Sequence, residues 1–307
     1  MKLYHSLTSF LAAFCCLAIL ISCEDTITPE LEQADPVLVV DAWINDKAEA
    51  QLIKLSLTQP YFENTLPIGV SGATIFVEDN EGNTFNFVED ATSKGDYLWV
   101  PPDANGFGKV GNSYELSISL NGEVFKGTSR MGRVPAIDSL TFTFEEENAF
   151  QPDSYIGEFW ASDLPGRDDT YWVKSFKNGV LLNKPEEINL AYDAGFSAGG
   201  NFDGVAFITP IRRGVNPNEV DENDEALSPY QPGDSLYVEI HSITIQAFNF
   251  MNEVIIQTNR PGGFSELFAT PLSNVSTNIF NQSTSGTKVL GFFNVASVSS
   301  MGKKFEL

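Results

Sequence analysis

Gly195-Phe196-Ser197-Ala198-Gly199 has the G-x-S-x-G form of a nucleophile elbow, and Asp203, Asp234 and His241 follow it in the chain order of a serine hydrolase. In such a site the serine attacks an acyl carbon, the histidine takes its proton and an acid orients the ring. That chemistry needs a strand before the serine and a helix after it. Here the segment 199–204 reads GGNFDG, which no helix tolerates, and no strand–helix alternation surrounds it. The pattern reads instead as a glycine-rich surface loop, so Ser197 is not assigned a catalytic role, and a binding protein without a cofactor is expected rather than an enzyme. His241 is the one histidine after residue 22, and a histidine-based metal site needs more ligands than that. Its apolar neighbours suit an imidazole bonded near the end of a strand.

Acidic side chains offer a second chemistry. Asp221, Glu222 and Asp224, in the run DENDE, are hard oxygen ligands of the kind calcium uses, but they lack a loop centred on glycine, and a solvated acidic loop is the expectation. No pair of carboxylates stands out for glycoside hydrolysis. Tyr155, Trp160, Tyr171 and Trp172 are rings on which a sugar could stack, although large aromatics mostly serve the core.

The cysteines are more informative. Lys2 is the only charged side chain in the first 22 residues apart from His5, and residues 10–21 are almost wholly apolar, the pattern of a secretory signal peptide over 1–22. Leu20-Ile21-Ser22-Cys23 resembles a bacterial lipobox, in which the cysteine is lipidated on sulfur and becomes the new amino terminus. Cys23 is therefore the expected lipid attachment site, carrying acyl chains such as palmitate, and residues 23–36, acidic and broken by Pro29 and Pro36, form a tether. All three cysteines lie at or before position 23, so the chain beyond has neither a disulfide nor a thiolate zinc site. Glu24-Asp25 resembles the acidic export signal of outer-leaflet lipoproteins in Bacteroidota, which places the protein in the outer membrane, facing the exterior.

Charge excludes one class of partner. With 18 basic and 41 acidic residues the net charge is −23, and removal of Lys2 with the signal makes it −24. Nucleic acid needs a basic footprint, so it is not an expected partner.

The elements that must position any site follow from periodicity. Short β-branched and aromatic runs recur between turn residues over 37–133, where Tyr114, Leu116, Ile118 and Leu120 alternate with polar residues and Asn121-Gly122 matches a type I′ hairpin turn. This block is expected to be an immunoglobulin-like β-sandwich. GRVPAIDSL at 132–140 is read as a boundary, and 136–307 as a second antiparallel β-rich domain. In the latter Asn178-Gly179 closes a hairpin, 193–232 is a long polar loop, and Ala247, Phe248, Met251, Val254 and Ile255 fall at helical spacing. The helix is placed at about 242–259, with Ser242 or Thr244 as cap and Arg260-Pro261-Gly262-Gly263 as its end.

In chain order, LISCED, DPVLVVDAWIND, LSLTQPYF, GATIFVED, VPAIDSL, NFDG, YQPGDSLYVEIHSIT, SNVSTNIF and VLGFFNVAS resemble the Bacteroidota lipoproteins that carry the domain of unknown function 4249. The resemblance covers nearly the whole chain. It implies an envelope lipoprotein whose genes lie near those of TonB-dependent outer-membrane transporters, and hence an accessory or substrate-capturing partner of such a transporter. It brings no catalytic residues. The alternative reading is a free-standing surface module for glycan or protein.

Overall fold

The computed structural model describes residues 34–60, 63–147, 152–166, 168–193, 210–223, 225–260 and 262–306. Cys23, Ser197, Asp203 and Asp224 lie outside the described residues, together with the signal segment and most of the tether. The fold is mainly β with one long helix, as the periodicity predicts. Its strands are β1 (Leu38–Asn45), β2 (Gln51–Leu57), β3 (Thr74–Asp79), β4 (Thr84–Glu89), β5 (Asp96–Trp99), β6 (Ser113–Leu120), β7 (Glu123–Arg130), β8 (Ile137–Glu145), β9 (Ser154–Ala161), β10 (Thr170–Lys177), β11 (Val180–Leu181), β12 (Asn189–Tyr192), β13 (Ser235–Ile243), β14 (Ile279–Asn281), β15 (Val289–Ala296) and β16 (Val298–Lys304). The helix, α1, spans Ile245–Thr258.

Nine strands form the first sheet in the order β14-β7-β6-β3-β4-β5-β2-β1-β15. Alternation decides which side is wet: in β1 the residues Leu38, Val40, Ala42 and Ile44 are buried, and Tyr114, Leu116 and Ile118 of β6 meet them in one core. The Asn121-Gly122 turn has φ of 52° and 83°, and Asn178-Gly179 has 52° and 80°, both values positive as a type I′ turn requires. The sheet then curls on itself. The Asn278 side chain donates to Phe293 O at 2.7 Å and accepts from Phe293 N at 2.9 Å, while Ser129 Oγ accepts from Val295 N at 3.0 Å, so side chains close the gap between β15 and the β7–β14 edge.

Here the domain organisation differs from the expected boundary at 132–140. Residues Pro36–Leu307 cluster as one compact unit, and the 37–133 block completes its sheet with β14 and β15, drawn from beyond that boundary. The β1–β15 pair is parallel, with Val40 opposite Gly291. Gly291 has φ +96°, and a Cβ there would lie 1.9 Å from Val40 O, so only glycine lets these strands meet.

The second sheet runs β11-β10-β13-β16, with β12 also paired to β10. One face packs on the β8–β9 hairpin through Tyr171, Val173, Leu236, Val238 and Ile240 against Leu140 and Phe159. The helix lies over a third core in which Phe248, Phe250 and Met251 meet Phe292, Trp43 and Trp172. Each such side chain contributes about 2 kcal/mol by leaving water. Thr244 caps the helix, its hydroxyl accepting from Ala247 N at 3.1 Å. Asn259 ends it, one residue before the expected stop.

Candidate functional site

A cavity of about 750 Å³ opens where three chain segments end together. Residues 130–133 bring the end of β7, Gly166 and residues 168–170 the approach to β10, and residues 242–245 the corner between β13 and α1; Tyr192 adds the end of β12. Short bonds fix these segments. Ser297 Oγ donates to Gly132 O at 2.8 Å, Ser297 N donates to Ser242 Oγ at 2.8 Å, and Thr170 Oγ1 donates to Ile243 O at 2.5 Å. Gly132 permits this closeness, because a Cβ there would lie 3.1 Å from the Ser242 Cβ.

The polar groups of the cavity are held in place before any ligand arrives. Arg133 donates from Nη2 to Asp169 Oδ2 and to Pro165 O, each at 2.7 Å, and from Nε to Asp169 Oδ2 at 3.1 Å. Such a fork is directional and charge-assisted. Asp169 is itself fixed, since its N–H donates to Asp193 Oδ1 at 3.0 Å and its carbonyl accepts from Asp193 N at 2.7 Å. Tyr192 donates its hydroxyl to Asp168 Oδ1. Arg130 donates from Nε to Gly111 O at 3.3 Å. Asp168 and Asp193 have φ of 71° and 48°, a region that aspartate tolerates better than most residues.

Four aspartates crowd this end of the second sheet, and their electrostatics follow from it. Burial pushes the Asp163 carboxyl up, with Asp193 and Asp169 adding to the rise, although Tyr171 donates to its Oδ1 at 3.0 Å. Burial and the neighbouring carboxylates likewise raise Asp193 and the Tyr171 hydroxyl. The bond to Asp168 raises Tyr192. Bonding to Asp169 raises Arg133 above its ordinary value, so it stays a cation.

A second polar cluster lies on the face of β10 and β13 turned away from the β8–β9 hairpin. Glu239 Oε1 accepts from Lys47 Nζ at 2.8 Å and from the Tyr237 hydroxyl at 3.1 Å, and Oε2 lies 2.7 Å from His241 Nε2. Burial alone would raise the Glu239 carboxyl, but these bonds and charges outweigh it and hold it at about 2. Burial lowers His241 to about 4, so the ring is neutral near pH 7 and its Nε2–H donates to the carboxylate. Lys174, across from Glu239, rests its ammonium 4.0 Å from the centre of the Trp172 ring, and burial lowers its pKa against the pull of Glu239 and Asp41.

The residues singled out by the sequence separate rather than converge. Asp234 accepts from Gln231 N at 2.9 Å and from Asn178 Nδ2 at 2.7 Å, shaping the turn before β13. His241 stands seven residues along an extended strand from it, about 23 Å away, so Asp234 cannot orient this imidazole. Asp221 Oδ1 accepts from the N–H groups of Asn223 and Glu225 at 2.8 and 2.9 Å, which lowers its pKa and closes a turn; Glu222 is exposed. Among the described residues no group of three acidic, histidine or cysteine side chains could hold a metal ion. Tyr171 is fully buried and Trp172 packs edge-on against Trp43, so both serve the interior. Trp160 and Tyr155, on β9, retain some exposure. Arg130, Arg133, Asp168, Asp169 and Tyr192 carried no signal in the sequence, because the cavity joins loop ends remote from one another along the chain.

The family model of the domain of unknown function DUF4249 matches residues 24–301. No curated protein matches the chain.

Proposed function

The chain belongs to the DUF4249 family, and on that premise we propose that it is an outer-membrane lipoprotein, anchored through Cys23 and facing the cell exterior, that captures a small solute for a TonB-dependent outer-membrane transporter. The observation that carries the capture is the cavity: about 750 Å³ is the size of a small-molecule site, and its charged groups are pre-positioned by Asp169, Pro165, Gly111 and Tyr192. Location and partner rest on the lipobox LISC and on the resemblance to transporter-linked lipoproteins. A binding role agrees with the placement of His241, which is buried and committed to Glu239.

Copurification tests the reading. Tagged protein is extracted gently from native outer membranes beside a Cys23→Ala control, and the bound proteins are identified by mass spectrometry. A stoichiometric TonB-dependent barrel, lost from the control, supports it. Recovery of the lipoprotein alone sinks it and favours a free-standing surface binder, for which the same cavity would serve.

A further inference from the structure

Resting on the capture reading, we infer that the cavity takes short peptides in their zwitterionic form, the free carboxylate meeting Arg130 and the free ammonium meeting Asp168. The assignment comes from which charges the fold leaves over. Arg133 is consumed by Asp169 and Pro165 O. Asp169 is consumed by Arg133, Asp193 by the N–H of Asp169, and Asp163 is buried beneath the Tyr171 hydroxyl. Among the described residues two charges remain at the cavity. Arg130 is exposed and spends only Nε, on Gly111 O, so its terminal nitrogens have no bond partner among the described residues. Asp168 is exposed and, among the described residues, spends only Oδ1, on Tyr192.

These two stand on different segments, the cation at the end of β7 and the anion in the turn before β10, with the neutralised Arg133–Asp169 pair between the two segments. Val110 and Ile245, 49% and 45% exposed, add two aliphatic side chains to the lining, which suits the apolar part of a peptide. Other solutes fit less well. A fully anionic solute would meet Asp168 and a net charge of −23, and a purely cationic one would leave Arg130 unmatched. A neutral sugar would leave both unmatched and would find one aromatic ring, Tyr192, among the described lining residues.

The test is calorimetric titration of the detergent-solubilised full chain with trialanine, with its N-acetylated form and with its C-terminal amide. Trialanine is expected to bind, and capping either end to weaken it about tenfold or more, the scale of a lost charge-assisted bond. Arg130→Gln should bind trialanine and its amide alike while still discriminating against the acetylated peptide. Asp168→Asn should show the converse, and asparagine suits the positive φ at that position. Absence of trialanine binding at millimolar concentration, or equal binding of all three peptides by the wild type, overturns the inference. So does discrimination that survives both substitutions. None of these outcomes affects copurification with a transporter, so failure of the ligand class and failure of the partnership are read separately.

Discussion

His241 donates from Nε2 to Glu239 Oε2 over 2.7 Å, and the two residues stand two positions apart on one face of β13. Lys47, from the turn after β1, completes the carboxylate from the other side at 2.8 Å, so the network ties the first sheet to the second. Acid attacks this tie through both partners.

Stability is accordingly expected to fall on acidification. His241 has a folded value of about 4 against an ordinary 6.5, so the unfolded chain binds that proton more readily; its contribution is complete above about pH 6.5 and is lost as pH falls toward 4. Glu239, held at about 2 against 4.5, contributes stability above 4.5 that is lost as pH falls toward 2. Urea unfolding at pH 7 and pH 5 should show a loss of about 2 kcal/mol through the histidine. His241→Gln should remove most of that pH-dependent loss. An unchanged difference between the two pH values would show that other groups carry it.

Asn278 closes the first sheet with side-chain bonds where another sheet would use a backbone ladder. Asn278→Ala leaves the N–H and C=O of Phe293 without these partners and should cost about 2–3 kcal/mol. The check is the denaturant midpoint at constant slope. A cost below about 0.5 kcal/mol would mean that water replaces both bonds at no loss.

Gly291→Ala should abolish folding or lower stability by more than about 3 kcal/mol, since both the positive φ and the contact with Val40 O resist a side chain. Soluble expression and circular dichroism decide it. A folded variant of near-normal stability would mean that β1 and β15 can separate without harm.

Calcium should not stabilise the protein. Asp221 already spends its Oδ1 on two backbone N–H groups, and Glu222 is exposed. Thermal melts with millimolar calcium or with chelator should coincide; a rise in Tm with calcium would place a site in this loop after all.

What could be seen in the sequence was what local physics decides. Thr244 as one of the two expected caps, the Asn-Gly turns and the alternation through Tyr114, Leu116 and Ile118 each depend on a few neighbouring residues, and the structure contains all three. The pairing of β15 with β1 depends on two segments about 250 residues apart, and nothing near Val289 announces a parallel partner. The single compact unit across 132–140 has no local signature for the same reason. The cavity was hidden because Arg133 sits in a stretch that looks like a linker, and Asp168 and Asp169 in one that looks like a polar turn. Beside His241, Glu239 is the more informative residue, an acid at a buried position of a strand.

The claim on which capture at a membrane depends is the anchor at Cys23. Intact-mass and N-terminal peptide mass spectrometry of protein extracted from native membranes tests it most directly. The account predicts a chain that begins at Cys23 and carries the added mass of acyl chains on that residue, and a Cys23→Ala variant that keeps its leader or leaves the membrane fraction. An unmodified chain beginning at another residue would contradict it.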